Sequence, residues 1–308
     1  MTTDSPRSTP LWTIRPAKTI ADFHACREAQ RRAWNLPEDG GGFLVPIATL
    51  VGVQHHGGLV LGAFLPDGSA AGVSFAFPAR IEGEWGLYSQ LTGVVPEFQS
   101  QGLGRQLKRF QFDFARDQGL FKVAWAFDPL QTGNARFNLT ILGASAGTYL
   151  VDMYGPRFDP LTGGAPTDRL IAVWSDEDRS WLASTPTWDH LADPTKVAPL
   201  VGFDPVGDGN HPDPLVGIGH LDKSLNTESS TSLGPWRSLA VPGRISDLRR
   251  GDPERASRWL HAVRAGFTSA FQEGWRAVGF VSPPQGDGRG CYLLTRPARR
   301  RDPSDVSH

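Results

Sequence analysis

Between positions 94 and 104 the chain reads Val-Val-Pro-Glu-Phe-Gln-Ser-Gln-Gly-Leu-Gly. An apolar strand-like run enters this stretch. Gly102 and Gly104 stand where a helical pattern begins, with apolar Leu103, Leu107, Phe110 and Phe114. Strand, glycine turn and helix in that order make a cradle for phosphate. The first turn of a helix leaves backbone N–H groups without intrahelical acceptors and carries the positive end of the dipole, while glycine lets an anion approach the backbone closely. A ligand with phosphates is therefore the first expectation. Glycines also serve tight strand-to-helix packing, so the turn alone leaves both readings open. A nucleotide P-loop would need Lys followed by Ser or Thr, and a dinucleotide fingerprint would need a third glycine and a ribose-binding acid; the stretch has neither.

The segment resembles the coenzyme A-binding motif of the GNAT family of N-acetyltransferases. That motif is Arg or Gln, two variable residues, Gly, one variable residue, then Gly or Ala, after a valine strand ending shortly before a proline. Gln99, Gly102 and Gly104 take those positions, with Val94 and Pro96 ahead of them. The resemblance implies transfer of an acetyl group from acetyl-CoA, the co-substrate, to a primary amine through direct attack on the thioester. It implies that the backbone N–H groups of Gln101, Gly102, Leu103, Gly104 and Arg105 hold the pyrophosphate, with Arg105, Lys108 or Arg109 available for the remaining phosphate. The backbone of Val94 and Val95 would bind the pantetheine amide and polarise the thioester carbonyl. Asn134 resembles the family's asparagine that faces the pantetheine arm.

The acceptor amine must lose a proton, and in the family the departing thiolate often gains one from a tyrosine on the helix after the fifth strand. Here Phe137, Asn138, Leu139, Thr140 and Ile141 occupy that turn, so the usual acid is missing. Tyr149 and Tyr154, on an expected strand beyond, are the substitutes. Asp128, at the end of the fifth strand, is a candidate base, as are Glu84 and Tyr88 on the fourth. Asp128-Pro129 is equally a simple strand-ending turn. His55 and His56 close a helix, where they suit its dipole, and have no carboxylate or cysteine at ligand spacing, so no metal is expected. The second reading is a non-catalytic acyl-CoA-binding or sensing protein, which the absent tyrosine favours.

These residues need elements to position them. The pattern predicts a strand over residues 12–15, helices over 19–34 and 46–56, strands over 58–64 and 70–78 joined through Pro66-Asp67-Gly68, and a strand over 85–95. The glycine turn and its helix to about Gln118 follow, then a strand over 121–127. A helix within 130–142, capped by Thr132 or Asn134, leads to strands over 149–154 and 169–174. This order resembles the complete GNAT core over residues 12–175. It implies an α/β (α+β) fold with a mixed, mostly antiparallel sheet flanked by helices.

Residues 176–235 are rich in Asp, Pro, Gly, Ser and Thr and read as irregular, with a strand over 215–220. A smaller αβ segment follows over 236–296: strand 236–241, helix 252–273, strands 277–281 and 290–295. It reads either as a partial repeat lacking the phosphate turn or as an extension of the sheet, and the whole resembles a group of predicted bacterial acetyltransferases with a C-terminal extension. The domain reading is thus a tail over 1–10, an acetyltransferase domain over 11–175, the connection, the C-terminal segment, and a tail over 297–308.

With 308 residues and a net charge of -1, the chain is long enough for a substantial core and lacks the basic surface a nucleic-acid binder needs. No apolar run is long enough for a membrane span, and the polar start is not a signal peptide, so a cytoplasmic protein is expected. Cys26 and Cys291 are read as reduced thiols. The partner is a small-molecule or peptide amine, and a homodimer is compatible with the sequence.

Overall fold

Alternating and fully apolar runs pair into the first sheet because their turns are short and chemically specified. The structure is a computed structural model and describes residues 11–38, 42–155, 166–175, 197–202, 214, 236–282 and 289–296. The readings for 1–10, 215–220, most of 176–235 and 297–308 lie outside the described residues. The chain divides into two units, Met1–Trp125 and Ala126–His308.

The first unit runs β1 (Thr13–Pro16), α1 (Ile20–Ala33), α2 (Ile47–His55), β2 (Leu59–Phe64), β3 (Ala70–Ile81), β4 (Glu84–Val94), α3 (Leu103–Asp117) and β5 (Lys122–Phe127), whose last two residues pass into the second unit. Its sheet has the order β1-β2-β3-β4-β5, antiparallel up to β4, with β5 parallel to β4. All of β2 is buried, as an interior strand should be. Asp67 closes the β2–β3 hairpin by accepting from the Ser69 N–H at 2.9 Å and hydroxyl at 2.7 Å. One face of the sheet packs against Phe23, Cys26 and Ala29 of α1 and Leu50 of α2, joined by Val60, Val73 and Phe75. The Cys26 thiol is pushed up to about 12, chiefly by burial, so it stays protonated.

The start of α1 is a reciprocal cap: the Thr19 hydroxyl accepts from the Asp22 N–H, and the Asp22 carboxylate accepts from the Thr19 N–H. Asp22 also accepts from the Lys18 N–H at 2.8 Å and from both terminal nitrogens of Arg15 at 2.8 and 2.9 Å.

The second unit continues from β5 into α4 (Thr132–Ala135), which widens into a π-helix over Arg136–Ile141. Its N-cap is Gln131, not Thr132 or Asn134. The turn begins early because Gln131 N–H reaches back to the Asp128 carbonyl at 3.1 Å, and the Gln131 carbonyl accepts from Ala135 at 2.9 Å. Then come β6 (Ser145–Leu150), β7 (Arg169–Ser175), β8 (Val197–Val201), β9 (Trp236–Pro242), α5 (Ile245–Gly251), α6 (Pro253–Gln272), β10 (Arg276–Val281) and β11 (Arg289–Thr295). The strand order is β7-β6-β10-β11-β9-β8. All pairs are antiparallel except β8 with β9. The C-terminal strands thus extend the β6–β7 pair through Ala277 opposite Ala146. Among the described residues no helix is long and apolar enough to cross a membrane.

Three elements differ from the sequence reading. The strand expected over 149–154 lies at Ser145–Leu150, and Tyr154 stands in a turn. Asp152 has a φ of 46° and its carboxylate accepts from the Thr167 N–H and hydroxyl, which ends the strand. The strand begins with the small residues Ser145, Ala146 and Gly147, and a Cβ at Gly147 would meet the flexible guanidinium end of Arg276 at 2.9 Å. Helix α5 and strand β8 are the further additions, and α5 is short, with Ile245 and Leu248 buried.

In α6 the expected core face is formed by Ala256, Trp259, Leu260, Val263 and Phe267, all buried. Phe267 and Phe280 each meet Tyr292 edge-on at 5.0 Å, and the Tyr292 hydroxyl donates to the Pro129 carbonyl at 2.6 Å. Beside this core, Asp168, 2 % exposed, takes both prongs of Arg264 at 2.8 and 2.9 Å and the Tyr149 hydroxyl at 2.6 Å. Burial pushes this carboxyl up, yet the Arg264 and Tyr149 hydrogen bonds and the Asp152 N–H outweigh it and hold its pKa below the usual range.

Two stability predictions arise here. The folded-state pKa of Asp22 is depressed, first by the Arg15 hydrogen bonds and against the cost of burial, so its contribution is present above roughly pH 4 and is lost on acidification. Asp22→Asn should lower urea stability by about 1–2 kcal/mol at pH 7, and the gap to wild type should close as pH falls below 4; a gap independent of pH would remove Arg15 as the cause. Asp168→Ala leaves Arg264 without its counter-ion and should cost about 3–5 kcal/mol, read from denaturant midpoints, with Arg264→Ala affecting stability in the same direction.

Candidate functional site

In the first unit β4 leaves its neighbours one at a time. Its parallel pairing with β5 covers only Leu87 opposite Val123 and Tyr88 opposite Ala124. From Ser89 onward β4 keeps its β3 partner but has no registered pair with β5, which leaves an edge of unpaired backbone groups. A bulge marks the same place, because Ser89 pairs with Ala76 and Leu91 with Phe75, leaving Gln90 over. Tyr88 is half-buried on the opposite face from Leu87 and Ser89, its ring 5.7 Å from Phe77.

At the upper end the strand gives way to the glycine turn. The Val95 N–H donates to the Ala71 carbonyl at 3.0 Å, and the Val95 carbonyl accepts from Phe98 N–H at 2.9 Å, so the Val95 backbone is used within the protein. This corrects the expectation for Val95; of the valine pair, Val94 presents its backbone to the open edge by strand alternation. The Val94 carbonyl accepts from the Gln99 side-chain amide at 3.0 Å, which ties the motif's first residue to the strand it follows. Pro96–Phe98 forms one 3-10 turn, Ser100 takes a φ of 60° and Gly102 a φ of 80°. The Gln101 amide reaches back to the Glu97 carbonyl at 3.1 Å, and Glu97 pairs with Arg32 at 2.6 Å. The turn is therefore held from both sides.

Gly102 is the N-cap of α3 and offers no capping side chain. The first backbone bond it receives is from Gln106 N–H at 3.1 Å, so the N–H groups of Leu103, Gly104 and Arg105 have no acceptor inside the helix. A Cβ placed on Gly102 would meet nothing within 4 Å. The helix mouth is open to an anion. A shallow groove of about 470 Å³ continues from it along α3, lined by Gly102, Arg105, Gln106, Arg109, Phe110 and Asp113. Arg105 and Arg109 are exposed there, with Arg109 3.4 Å from Asp113. Lys108 does not join them: it is 3 % exposed and turned under the helix, which corrects its expected phosphate role.

The candidate proton-transfer groups are mostly committed. Glu84 is 3.0 Å from the Lys122 ammonium. In the second unit, Asp128 accepts from the Leu130 N–H at 2.9 Å and from Arg249 at 3.0 Å, the two side chains only 15 % and 13 % exposed. Both of its carboxylate oxygens therefore have partners within the unit. Tyr149 donates to Asp168; burial, and then that hydrogen bond, push the phenol far above its ordinary value. Tyr154 has its ring 5.3 Å from the Arg169 guanidinium and its N–H on the Thr167 hydroxyl. Asn134 is exposed in α4. What the sequence reading missed is the Ser89–Lys108 pair; its only signal was a lysine inside an apolar helical stripe.

No protein-family profile matches the sequence, and a comparison with curated proteins returns no match. Solved structures similar to this chain over about half its length include acetyltransferases of the GNAT family. The ribosomal-protein-S18-alanine N-acetyltransferase from Escherichia coli is 20 % identical and covers 54 % of this chain and 95 % of its own, with a TM-score of 0.43. The GNAT family N-acetyltransferase YhbS from Escherichia coli, in complex with CoA, is 22 % identical over 41 % of this chain and 68 % of its own, with a TM-score of 0.33. The protein yncA from Salmonella typhimurium, assigned to the acetyltransferases and solved with its cofactor acetyl-CoA, is 20 % identical over 54 % and 95 %, with a TM-score of 0.43. The remainder of this chain is additional sequence.

The left-handed backbone at Gly102 and the empty space beside it separate strain from sterics. Gly102→Ala should fold normally, with a loss of about 1 kcal/mol from the positive φ, measured by chemical denaturation; a loss several times larger would show that the turn is packed more tightly than its geometry indicates.

Proposed function

We propose that this protein is an acyl-CoA-dependent N-acetyltransferase of the GNAT type. The observation that carries the reading is the junction of β4 and α3, where an unpaired strand edge leads directly into a helix mouth opened by left-handed Gly102. An anion fits the mouth and an amide-bearing chain fits the edge. Those are the two ends of a CoA arm, linked in the order in which β4 and α3 present them.

In this reading the N–H groups of Leu103, Gly104 and Arg105 bind the pyrophosphate, assisted by the helix dipole. The exposed Arg105 and Arg109 supply positive charge beside it. The open edge of β4 from Ser89 to Val94 pairs with the pantetheine amides, and an unpaired N–H of that edge polarises the thioester carbonyl. The acceptor nitrogen forms a bond to the carbonyl carbon, the C–S bond breaks, the electron pair leaves with sulfur and the nitrogen releases a proton. The acceptor is a primary amine of a small molecule or peptide.

A second reading, a non-catalytic acyl-CoA binder, draws on the absence of tyrosine from Arg136–Ile141 and on the engagement of Asp128 by Arg249. Calorimetric titration with acetyl-CoA tests what the two readings share. Affinity in the micromolar range, roughly -8 kcal/mol, should disappear in Gly102→Glu, which places bulk and negative charge in the mouth, while the variant's denaturation curve shows it still folded. Absence of binding by the wild type sinks both readings; binding without turnover on any of a panel of primary amines leaves the binder.

A further inference from the structure

Positions 103, 107, 108, 111, 112 and 115 of α3 are its buried face, and two of them are polar: Lys108 and Gln111. A lysine in such a stripe pays a desolvation cost that leucine or methionine would not. Lys108 is 3 % exposed, donates to the Ser89 hydroxyl at 2.9 Å, and holds its ammonium 4.0 Å from the centre of the Trp125 ring. These two partners have a definite place. The last paired residues of the parallel strands are Tyr88 and Ala124, so Ser89 and Trp125 are the first residues past the parting on each strand. Lys108 touches both sides of the point where β4 and β5 separate.

The surroundings are polar but uncharged. On β4, Ser89 lies 3.5 Å from the Thr92 hydroxyl, which is 2.7 Å from Ser74 of β3. Gln111, fully buried, has neither amide atom paired, and the buried Trp125 indole N–H is unpaired as well. Well-packed interiors do not leave such groups open without a reason. No carboxylate among the described residues is within ion-pair distance of Lys108: on β5 the charged group is Lys122, bound to Glu82 and Glu84, and Arg105, Arg109, Asp113 and Arg116 lie off the buried face of α3. Burial without a counter-ion pulls the ammonium down to about 7, so both its protonation states are populated near neutrality.

From Val94 back to Ser89 the strand covers roughly 15 Å at its usual rise, the scale of an extended pantetheine arm running from the helix mouth to the bulge. On the acetyl-CoA reading above, on which this inference rests, the sulfur comes to the parting of the strands. We propose that Lys108 is a positioning residue that supplies, through the Ser89 hydroxyl, the proton taken up by the departing CoA thiolate. As the C–S bond breaks, its electron pair goes to sulfur. Ser89 gives its proton to sulfur and takes one from the Lys108 ammonium, which becomes a neutral amine. The proton lost by the acceptor nitrogen goes to solvent, and solvent later reprotonates Lys108. A thiol with an ordinary pKa near 8.5 is a stronger base as thiolate than the Lys108 amine, so the transfer runs downhill.

The test uses the full chain and compares CoA with desulfo-CoA by calorimetry between pH 6 and 9. CoA should bind about tenfold more tightly, as for a hydrogen bond to a charged group. The preference should be largest between roughly pH 7 and 8.5, where thiol and lysine share one proton. In Lys108→Met and in Ser89→Ala the preference should fall to within about twofold and lose its pH dependence, with desulfo-CoA affinity unchanged. Should Lys108→Met not fold, Ser89→Ala decides, since it removes a single oxygen. Equal affinity of the wild type for both compounds, or variants that keep the preference, overturns the role of Lys108 alone. Failure of the wild type to bind either compound overturns the acetyl-CoA reading instead.

Discussion

A strand that parts from its neighbour must find other partners for its backbone N–H and C=O groups, and that constraint governs the first unit. The parallel pair β4–β5 lasts two residues before it ends at Tyr88 and Ala124. The bulge at Gln90, the hydroxyls of Ser89 and Thr92 and the Lys108 ammonium all gather at this parting. Further along, the Val94 carbonyl turns to the Gln99 amide and the Val95 backbone is taken by Ala71 and Phe98. What is left over is an open edge between a buried cation below and a helix mouth above. The unit offers a ligand the hydrogen bonds it does not make for itself.

Helix α3 serves that edge with both of its faces. Its first turn has N–H groups without acceptors and an N-cap glycine without a side chain, which suits an anion. Its outer face carries Arg105 and Arg109, where water screens the charge at little cost. Its inner face carries Lys108, which is buried with no carboxylate among the described residues at ion-pair distance, and the ammonium is destabilised accordingly. Three cations lie within five positions of one helix, and their chemistry differs because burial differs.

The second unit spends its charged groups on structure. Arg264 and Tyr149 surround Asp168, Arg249 holds Asp128, and Thr140 accepts from Phe280 N–H at 3.0 Å while donating to the Phe280 carbonyl at 2.8 Å. These bonds tie the helix after β5, the β6–β7 pair and the C-terminal strands into one sheet and its covering helix α6. The oxygens of Asp168 and Asp128 and the Tyr149 hydroxyl already have partners within the unit, and removing a partner from a buried charge is costly.

By itself the sequence determined most of the elements and their order, since helical and strand periodicity, the Asp67 turn and the Gly102–Gly104 turn are local signals carried by neighbouring residues. It also marked the glycine turn that opens α3, because Gly102 and Gly104 stand where the strand pattern ends and the helical one begins. It could not show that β6 starts at Ser145, since the small residues Ser145, Ala146 and Gly147 carry no apolar periodicity, nor that Asp152 turns the chain before Tyr154. Tertiary structure decided where β4 parts from β5, that the Val95 N–H is spent on Ala71, and that Asp128 meets Arg249 across 121 positions. It decided above all that Lys108 faces inward while Arg105 and Arg109 face out. Strand pairing and burial depend on partners remote in sequence, and the charge state of a side chain is set by the water those partners exclude.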